Sequence, residues 1–127
     1  MTSDPTTIER QIVFLYADDL APMDAFYGGL LGLALERDQG VCRIYRVNAG
    51  AALGVCCHRQ PSSGRDGALV TLVVADVDGL HARLAAAGIP LDGPPRDEPR
   101  FRIRHFFATD PAGYRVEVQR FLDPEPR

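Results

Sequence analysis

Hydrophobic positions along the chain recur with two different spacings, and these spacings alternate in a fixed order. Dense runs of β-branched and aromatic residues at 11–17 and 68–74 predict strands. After each run comes an aspartate that can cap a helix, Asp19 or Asp76, and then apolar residues at helical spacing up to a glycine. The pattern therefore predicts a strand followed by a helix, twice along the chain.

Shorter alternating runs follow each helix and predict three further strands. In the first half these strands are predicted at 33–37, 41–47 and 51–58, with a turn at 48–50. In the second half they are predicted at 89–91, 101–108 and 114–121, and the proline-rich stretch 94–99 is predicted to be a loop. The order strand, helix and three strands thus occurs twice.

Two short matches support an internal repeat. The tetrapeptides that end at Leu20 and Val77 match at an offset of 57 residues, and the segments that end at Val55 and Val118 match at an offset of 63. We therefore predict one domain over 1–127, in which repeat one covers about 8–59, a linker covers 60–67 and repeat two covers about 68–122.

The last predicted strand carries a carboxylate at its centre. The turn Asp110-Pro111-Ala112-Gly113 precedes this strand, in which valines alternate with Arg115, Glu117 and Gln119. Glutamate is a weak strand former, so Glu117 is expected either to face solvent or to line a cavity.

Composition and charge exclude several classes of protein. The chain has 127 residues, 46% apolar and 24% charged, with a net charge of −3 and a pI near 5.5, so a nucleic-acid partner is not expected. No apolar run approaches the ~20 residues that span a bilayer, and the N-terminus lacks the pattern of an export signal. We predict a cytoplasmic protein without a membrane partner, whose cysteines, Cys42, Cys56 and Cys57, are reduced.

Short motifs stand in the same order in both repeats and carry a resemblance to a known superfamily. They are Asp19-Leu20, Phe26-Tyr27, Leu30-Leu31-Gly32-Leu33, Asp76-Val77-Asp78, Ala87-Gly88-Ile89 and the stretch from Asp110 to Glu117. Together they resemble the vicinal oxygen chelate superfamily, which contains glyoxalases, bleomycin-resistance proteins and extradiol dioxygenases. The resemblance implies an α+β fold in which two βαβββ repeats form curved mixed sheets around a cavity. It also implies a homodimer.

The resemblance also implies where a metal would bind. Metal-dependent members place ligands at four corresponding points, which in this chain are Ile12, Gly54, Leu69 and Glu117. Only Glu117 has a side chain that can bind a cation, whereas such a site needs about three protein ligands. We therefore predict no metal at the usual place and no cofactor.

Strand alternation predicts which side chains would line the cavity. If Thr109 pairs with Tyr114, then Phe106 lies opposite Glu117, and Arg104 lies on the same face as a partner for the carboxylate. If Asn48 pairs with Ala51, Tyr45 lies opposite Gly54. The predicted ligand-binding residues, with those of the first strand included, are Phe14, Tyr16, Tyr45, Arg104, Phe106 and Glu117. His105 is predicted on the apolar face as a structural residue.

Three hypotheses of function stay open, and no catalytic residue is assigned. The first is a homodimer that binds an aromatic or amphipathic small molecule without chemistry, as in the bleomycin-resistance branch. The second is a lyase, isomerase or dioxygenase-type enzyme of the same superfamily in which Glu117 acts as a general acid or base. The third is an enzyme with a relocated metal, for which the candidate ligands are His58, His105 and Glu117.

Overall fold

The two runs of alternating elements form two four-stranded mixed sheets, one in each half of the chain. The computed structural model describes residues 4–6, 9–57 and 68–123. Two units divide the described residues, and each contains one sheet. This architecture confirms the predicted fold class, in which each unit has the order βαβββ.

The first unit has the sheet order β1-β4-β3-β2, in which β1 and β4 run parallel and the other pairs antiparallel. A four-residue α-helix leads directly into a π-helix after the Asp19 cap, whose side chain accepts from the Ala21 N–H. The elements are β1 (Gln11–Tyr16), α1 (Leu20–Met23), the π-helix (Asp24–Leu30), β2 (Ala34–Asp38), β3 (Cys42–Asn48) and β4 (Ala51–Cys56).

The second unit repeats this topology with the sheet order β5-β8-β7-β6. Asp76 caps its helix by accepting from the Gly79 N–H, and Gly88 follows the helix with a φ of 76°. The elements are β5 (Leu69–Val73), α2 (Val77–Ala86), β6 (Arg96–Glu98), β7 (Ile103–Thr109) and β8 (Arg115–Phe121). Neither this helix nor any other helix among the described residues is long and apolar enough to cross a bilayer.

One predicted strand of the second unit lies at a different place in the sequence. Residues 89–91 were predicted as a strand, but only Leu91 forms a single bridge, to Ala108. The edge strand of the sheet is instead Arg96–Glu98, within the stretch predicted to be a loop. Prolines flank these three residues without interrupting them, so the segment pairs with β7 over its short length.

The parallel strand pairs agree with both repeat offsets. In the first unit Phe14 is the direct partner of Gly54, and in the second Thr71 is the direct partner of Glu117. Phe14 and Thr71 are 57 positions apart, whereas Gly54 and Glu117 are 63 apart. The four positions are therefore equivalent by pairing as well as by sequence.

The prediction of three reduced cysteines is wrong for two of them. Cys42 and Cys56 are direct cross-strand partners, 4.1 Å apart between their Cα atoms, and they form a disulfide, whereas Cys57 is free. The prediction rested on the odd number of cysteines and on the lack of an export-signal pattern. The predicted hairpin register did not reveal the pair either, because pairing Asn48 with Ala51 places Arg43 opposite Cys56. A bulge between Arg46 and Asn48 shifts the pairing by one residue.

Reduction of the disulfide is expected to lower the free energy of unfolding by about 2–3 kcal/mol, because the cross-link closes the loop between Cys42 and Cys56 and so restricts the unfolded chain. Urea unfolding with and without a phosphine reductant measures the difference. Cys57→Ser is the matched control and should respond to the reductant as the wild type does. Three titratable thiols in the denatured, non-reduced protein would contradict the pairing, which predicts one.

Candidate functional site

Glu117 lies at the centre of the second sheet with both carboxylate oxygens hydrogen-bonded. Its side chain is on the face opposite α2, and the residue is 9% exposed. The Thr71 hydroxyl donates to one oxygen at 3.0 Å, and His105 Nδ1 lies 2.8 Å from the other. A buried carboxylate requires such partners, since an unpartnered charge away from water is costly.

The side chains around this carboxylate combine apolar and polar groups. We call this surface the open face and define it by the residues of β5, β7 and β8 that share the strand parity of Glu117: Leu69, Thr71, Val73, Ile103, His105, Phe107, Thr109, Arg115, Glu117, Gln119 and Phe121. Leu69 and Val73 are 52% and 56% exposed, so an apolar strip flanks Thr71 on β5. The His105 ring meets the Phe107 ring edge-on at 5.1 Å.

The predicted pairing of Arg104 with Glu117 is wrong, because the last hairpin is shifted by one residue. Asp110 donates its N–H to the Tyr114 carbonyl, and its side chain accepts from the N–H groups of Ala112 and Tyr114. The strand ladder consequently begins with Thr109 opposite Arg115, which places Phe107 rather than Phe106 opposite Glu117. A shift of one residue moves every side chain of β7 to the other face.

Arg104 and Phe106 therefore lie on the face covered by α2. Phe106 is fully buried, and the ring of His81 on α2 meets it edge-on at 4.9 Å. Arg104 forms a bidentate ion pair with Asp78 on α2, with N–O distances of 2.7 and 2.8 Å. It also donates a hydrogen bond to Asp97 on β6 at 3.0 Å. These carboxylates raise the pKa of Arg104, and the Arg104 hydrogen bonds lower the pKa of Asp78.

Tyr45 also lies on a helix-covered face rather than opposite Gly54. Its direct partner is Leu53, its hydroxyl donates to Asp24 in the π-helix, and the residue is 2% exposed. Burial and the hydrogen bond to Asp24 raise the pKa of Tyr45 to about 12. The bulge that brings the two cysteines together also turns Tyr45 toward the helices.

Phe14 and Tyr16 keep the predicted strand parity, on the face of the first sheet opposite Tyr45. The Phe14 ring covers Gly54, since a Cβ at Gly54 would collide with the ring. Phe14 is 40% exposed and Tyr16 is half-buried. The neighbouring aromatic ring therefore fills the space beside Gly54.

His105 is the residue of this site that the sequence prediction misplaced. It was assigned to the apolar face as a structural residue, but it lies on the open face beside Glu117 and is 8% exposed. The predicted hairpin register was off by one residue, which assigned His105 to the wrong face. The Asp110 turn is the local feature that sets the correct register. His58, a further candidate, lies outside the described residues.

The two repeats differ in chemistry at equivalent positions. Cys42 and Cys56 correspond to His105 and Gln119, 63 positions later in each case. The first unit therefore holds a disulfide and a covered glycine where the second unit holds a histidine and a carboxylate. Among the described residues, no three His, Cys, Asp or Glu side chains come close enough to form a metal-binding group.

Comparison with known protein families gives a match to the family model of the Glyoxalase/Bleomycin resistance protein/Dioxygenase superfamily over residues 10–118. The chain belongs to this superfamily, as its βαβββ repeats indicate. A comparison with curated proteins gives no match.

Solved structures of similar fold cover nearly the whole chain. A glyoxalase/bleomycin resistance protein/dioxygenase from Nocardioides is 23% identical, with a TM-score of 0.72 over 98% of this chain and 89% of its own. Lactoylglutathione lyase from Agrobacterium tumefaciens is 24% identical, with a TM-score of 0.70 over 93% and 96%. TioX from Micromonospora sp. ML1 is 23% identical, with a TM-score of 0.75 over 89% and 98%. At these identities the likeness establishes the fold alone.

The Arg104–Asp78 ion pair predicts a specific response to acid. The pKa of Asp78 in the folded protein lies below its ordinary value of 3.8. The ion pair therefore contributes its full stabilisation above that pH, and this stabilisation is lost as the pH falls through the pKa of the folded state. Asp78→Asn should therefore be less stable than wild type at about pH 6, and the difference should shrink toward about pH 3.

Urea unfolding of both proteins across this pH range measures that difference. Asp18→Asn, a change of an exposed aspartate in the first unit, serves as the control and should leave stability nearly unchanged at each pH. A wild-type advantage over Asp78→Asn that stays constant or grows on acidification would contradict the assigned ion pair.

Proposed function

We propose that this protein binds a small aromatic or amphipathic molecule on the open face, with Glu117 as the polar anchor and without a metal ion. The observation that supports it is the buried Glu117 carboxylate, oriented by Thr71 and His105 beside the exposed apolar side chains of Leu69 and Val73. Apolar walls with a few convergent polar groups are typical of small-molecule sites.

The donor set supports binding without a metal. Of the four positions where the family's ligands would stand, Ile12, Gly54 and Leu69 have no donor atom, and Glu117 already accepts from two neighbours. Among the residues that define the open face, His105 adds the one further histidine, cysteine or carboxylate, so two such protein ligands would have to hold a cation that needs about three. The proposal accordingly resembles the metal-free bleomycin-resistance branch.

Glu117 restricts the kind of polar group that a ligand can place beside it. A carboxylate that is ionised accepts hydrogen bonds only, so the ligand group that reaches it must be a donor or a cation. Hydrogen bonds to a charged group contribute about twice as much as neutral ones. We propose a ligand whose ring lies on the apolar strip and whose donor group reaches Glu117.

A panel of aromatic and amphipathic compounds, screened by thermal shift, tests the proposal. Glu117→Gln should weaken the binding of the hits by about tenfold or more, because a charge-assisted hydrogen bond becomes a neutral one. Glu9→Gln makes the same chemical change at an exposed site and should leave the affinities unchanged. If every hit binds Glu117→Gln as tightly as the wild type, Glu117 is not the anchor.

Proton transfer is a second candidate, which the contact between His105 and Glu117 favours. A carboxylate on Nδ1 fixes the orientation and tautomer of an imidazole, so that Nε2 is left to take or give a proton. Such a pair would suit lyase or isomerase chemistry. His105→Asn should then bind a hit but fail to convert it, and the absence of turnover of any hit by the wild type would count against this candidate.

The homodimer belongs to the same proposal and rests on the family resemblance, whereas the proposed cytoplasmic location rests on the sequence pattern alone. Sedimentation equilibrium measures the mass of the assembly directly, and a mass of one chain at all concentrations would contradict the homodimer.

A further inference from the structure

A pocket of about 320 Å³ adjoins the open face at the end of β7. Its walls include Pro90, Leu91 and Asp92 on one side and Phe107, Thr109 and Arg115 on the other. Phe107 is the direct cross-strand partner of Glu117, so the pocket shares this aromatic wall with the site around the carboxylate. The volume falls at the small end of the range for organic ligands.

Backbone hydrogen bonds hold the wall of this pocket in place. The Asp92 N–H donates to the Phe107 carbonyl at 2.9 Å, and the Thr109 N–H donates to the Pro90 carbonyl at 3.1 Å. The segment 90–92 is therefore attached to β7 on both sides of the Leu91 bridge. A pocket with such fixed walls needs little ordering when a ligand enters.

Arg115 supplies the positive charge of this pocket. Its guanidinium is held against the Phe107 ring but forms only a weak ion pair with Asp92. It stacks over the Phe107 ring, with 4.3 Å from its central carbon to the ring centroid. Its contact with Asp92 is a single one at 3.4 Å between side chains that are 51% and 70% exposed. An exposed ion pair of this kind contributes little, so a better acceptor can replace Asp92.

We propose that this pocket binds a carboxylate group of the ligand through Arg115. A carboxylate can accept two parallel hydrogen bonds from a planar guanidinium group. The single contact of Arg115 with one Asp92 oxygen at 3.4 Å is not such a bidentate pair. Arg115 is the one cationic side chain among the described residues that line the pocket, and Asp92 offsets part of its charge. A monoanionic carboxylate suits this balance better than a dianionic phosphate.

This inference deepens the proposed function and rests on it in one respect, namely that the ligand lies on the open face. The ligand class becomes an aromatic acid that also carries a hydrogen-bond donor. Arg115 would bind its carboxylate and Glu117 its donor, and its ring would lie on the apolar strip. The spacing of Arg115 and Glu117, two residues apart on the same face of β8, allows one small molecule to reach both.

Benzoate is the probe for the pocket, with benzamide as its neutral isostere, and titration by ¹H–¹⁵N NMR measures weak affinities residue by residue. Benzoate should shift the amide signals of Asp92, Phe107 and Thr109, and benzamide should bind about tenfold more weakly or worse. Arg115→Gln should weaken benzoate binding by a similar factor. Arg120→Gln, an exposed arginine of the same strand, should bind benzoate within about twofold of wild type.

Several results would overturn the inference. Equal binding of benzoate and benzamide, or wild-type affinity in Arg115→Gln, would show that the guanidinium does not select a carboxylate. Phenyl phosphate binding more tightly than benzoate would assign the pocket to a different anion. Since Arg115 is half exposed, the variant is expected to fold, and its amide spectrum verifies this.

Glu117→Gln separates this inference from the proposed function. The variant should still bind benzoate, because benzoate has no donor for Glu117. Loss of benzoate binding in Glu117→Gln but not in Arg115→Gln would contradict the inference while the anchor role of Glu117 stands. Benzoate binding that depends on Arg115, together with screening hits that ignore Glu117→Gln, would contradict the proposed function alone.

Discussion

The hydrogen-bond register between β7 and β8, with Thr109 opposite Arg115, decides which side chains share a face of the second sheet. Because successive side chains point to opposite faces, this one pairing places His105 and Phe107 with Glu117 and sends Arg104 and Phe106 to the helix. The Asp110 side chain sets the register by accepting from the N–H groups of Ala112 and Tyr114. The site therefore depends on the conformation of a turn.

Each sheet has one face that packs against helices and another with a different chemistry. In the second unit the helix face is apolar and also carries the Arg104–Asp78 ion pair, whereas the open face holds the carboxyl group of Glu117, a residue that is 9% exposed. In the first unit the equivalent positions carry a disulfide and a phenylalanine over a glycine. One topology thus supports a cross-linked, mainly apolar surface in one repeat and a surface with a buried carboxyl group in the other.

Sequence reasoning could predict the elements, the repeat and the place of Glu117, because these depend on residue spacing within single strands. It failed for Arg104 and Tyr45 because of the strand register, and it failed for the disulfide because the odd number of cysteines and the lack of an export-signal pattern argued for reduced thiols. A bulge and an aspartate turn each add one residue between strands, and neither leaves a mark in the hydrophobic pattern. The pairing of Cys42 with Cys56 also differs by one residue from the predicted register, which therefore did not reveal their bond either.

We propose that a ligand on the open face is anchored by Glu117, which Thr71 and His105 orient. A crystal structure of the protein with the tightest hit of the thermal-shift screen tests this anchoring. We expect a donor atom of the ligand within about 3.2 Å of a Glu117 oxygen and the ligand ring against the apolar strip. A ligand bound elsewhere, with the contacts of Glu117 to Thr71 and His105 unchanged and no ligand atom beside them, would contradict it.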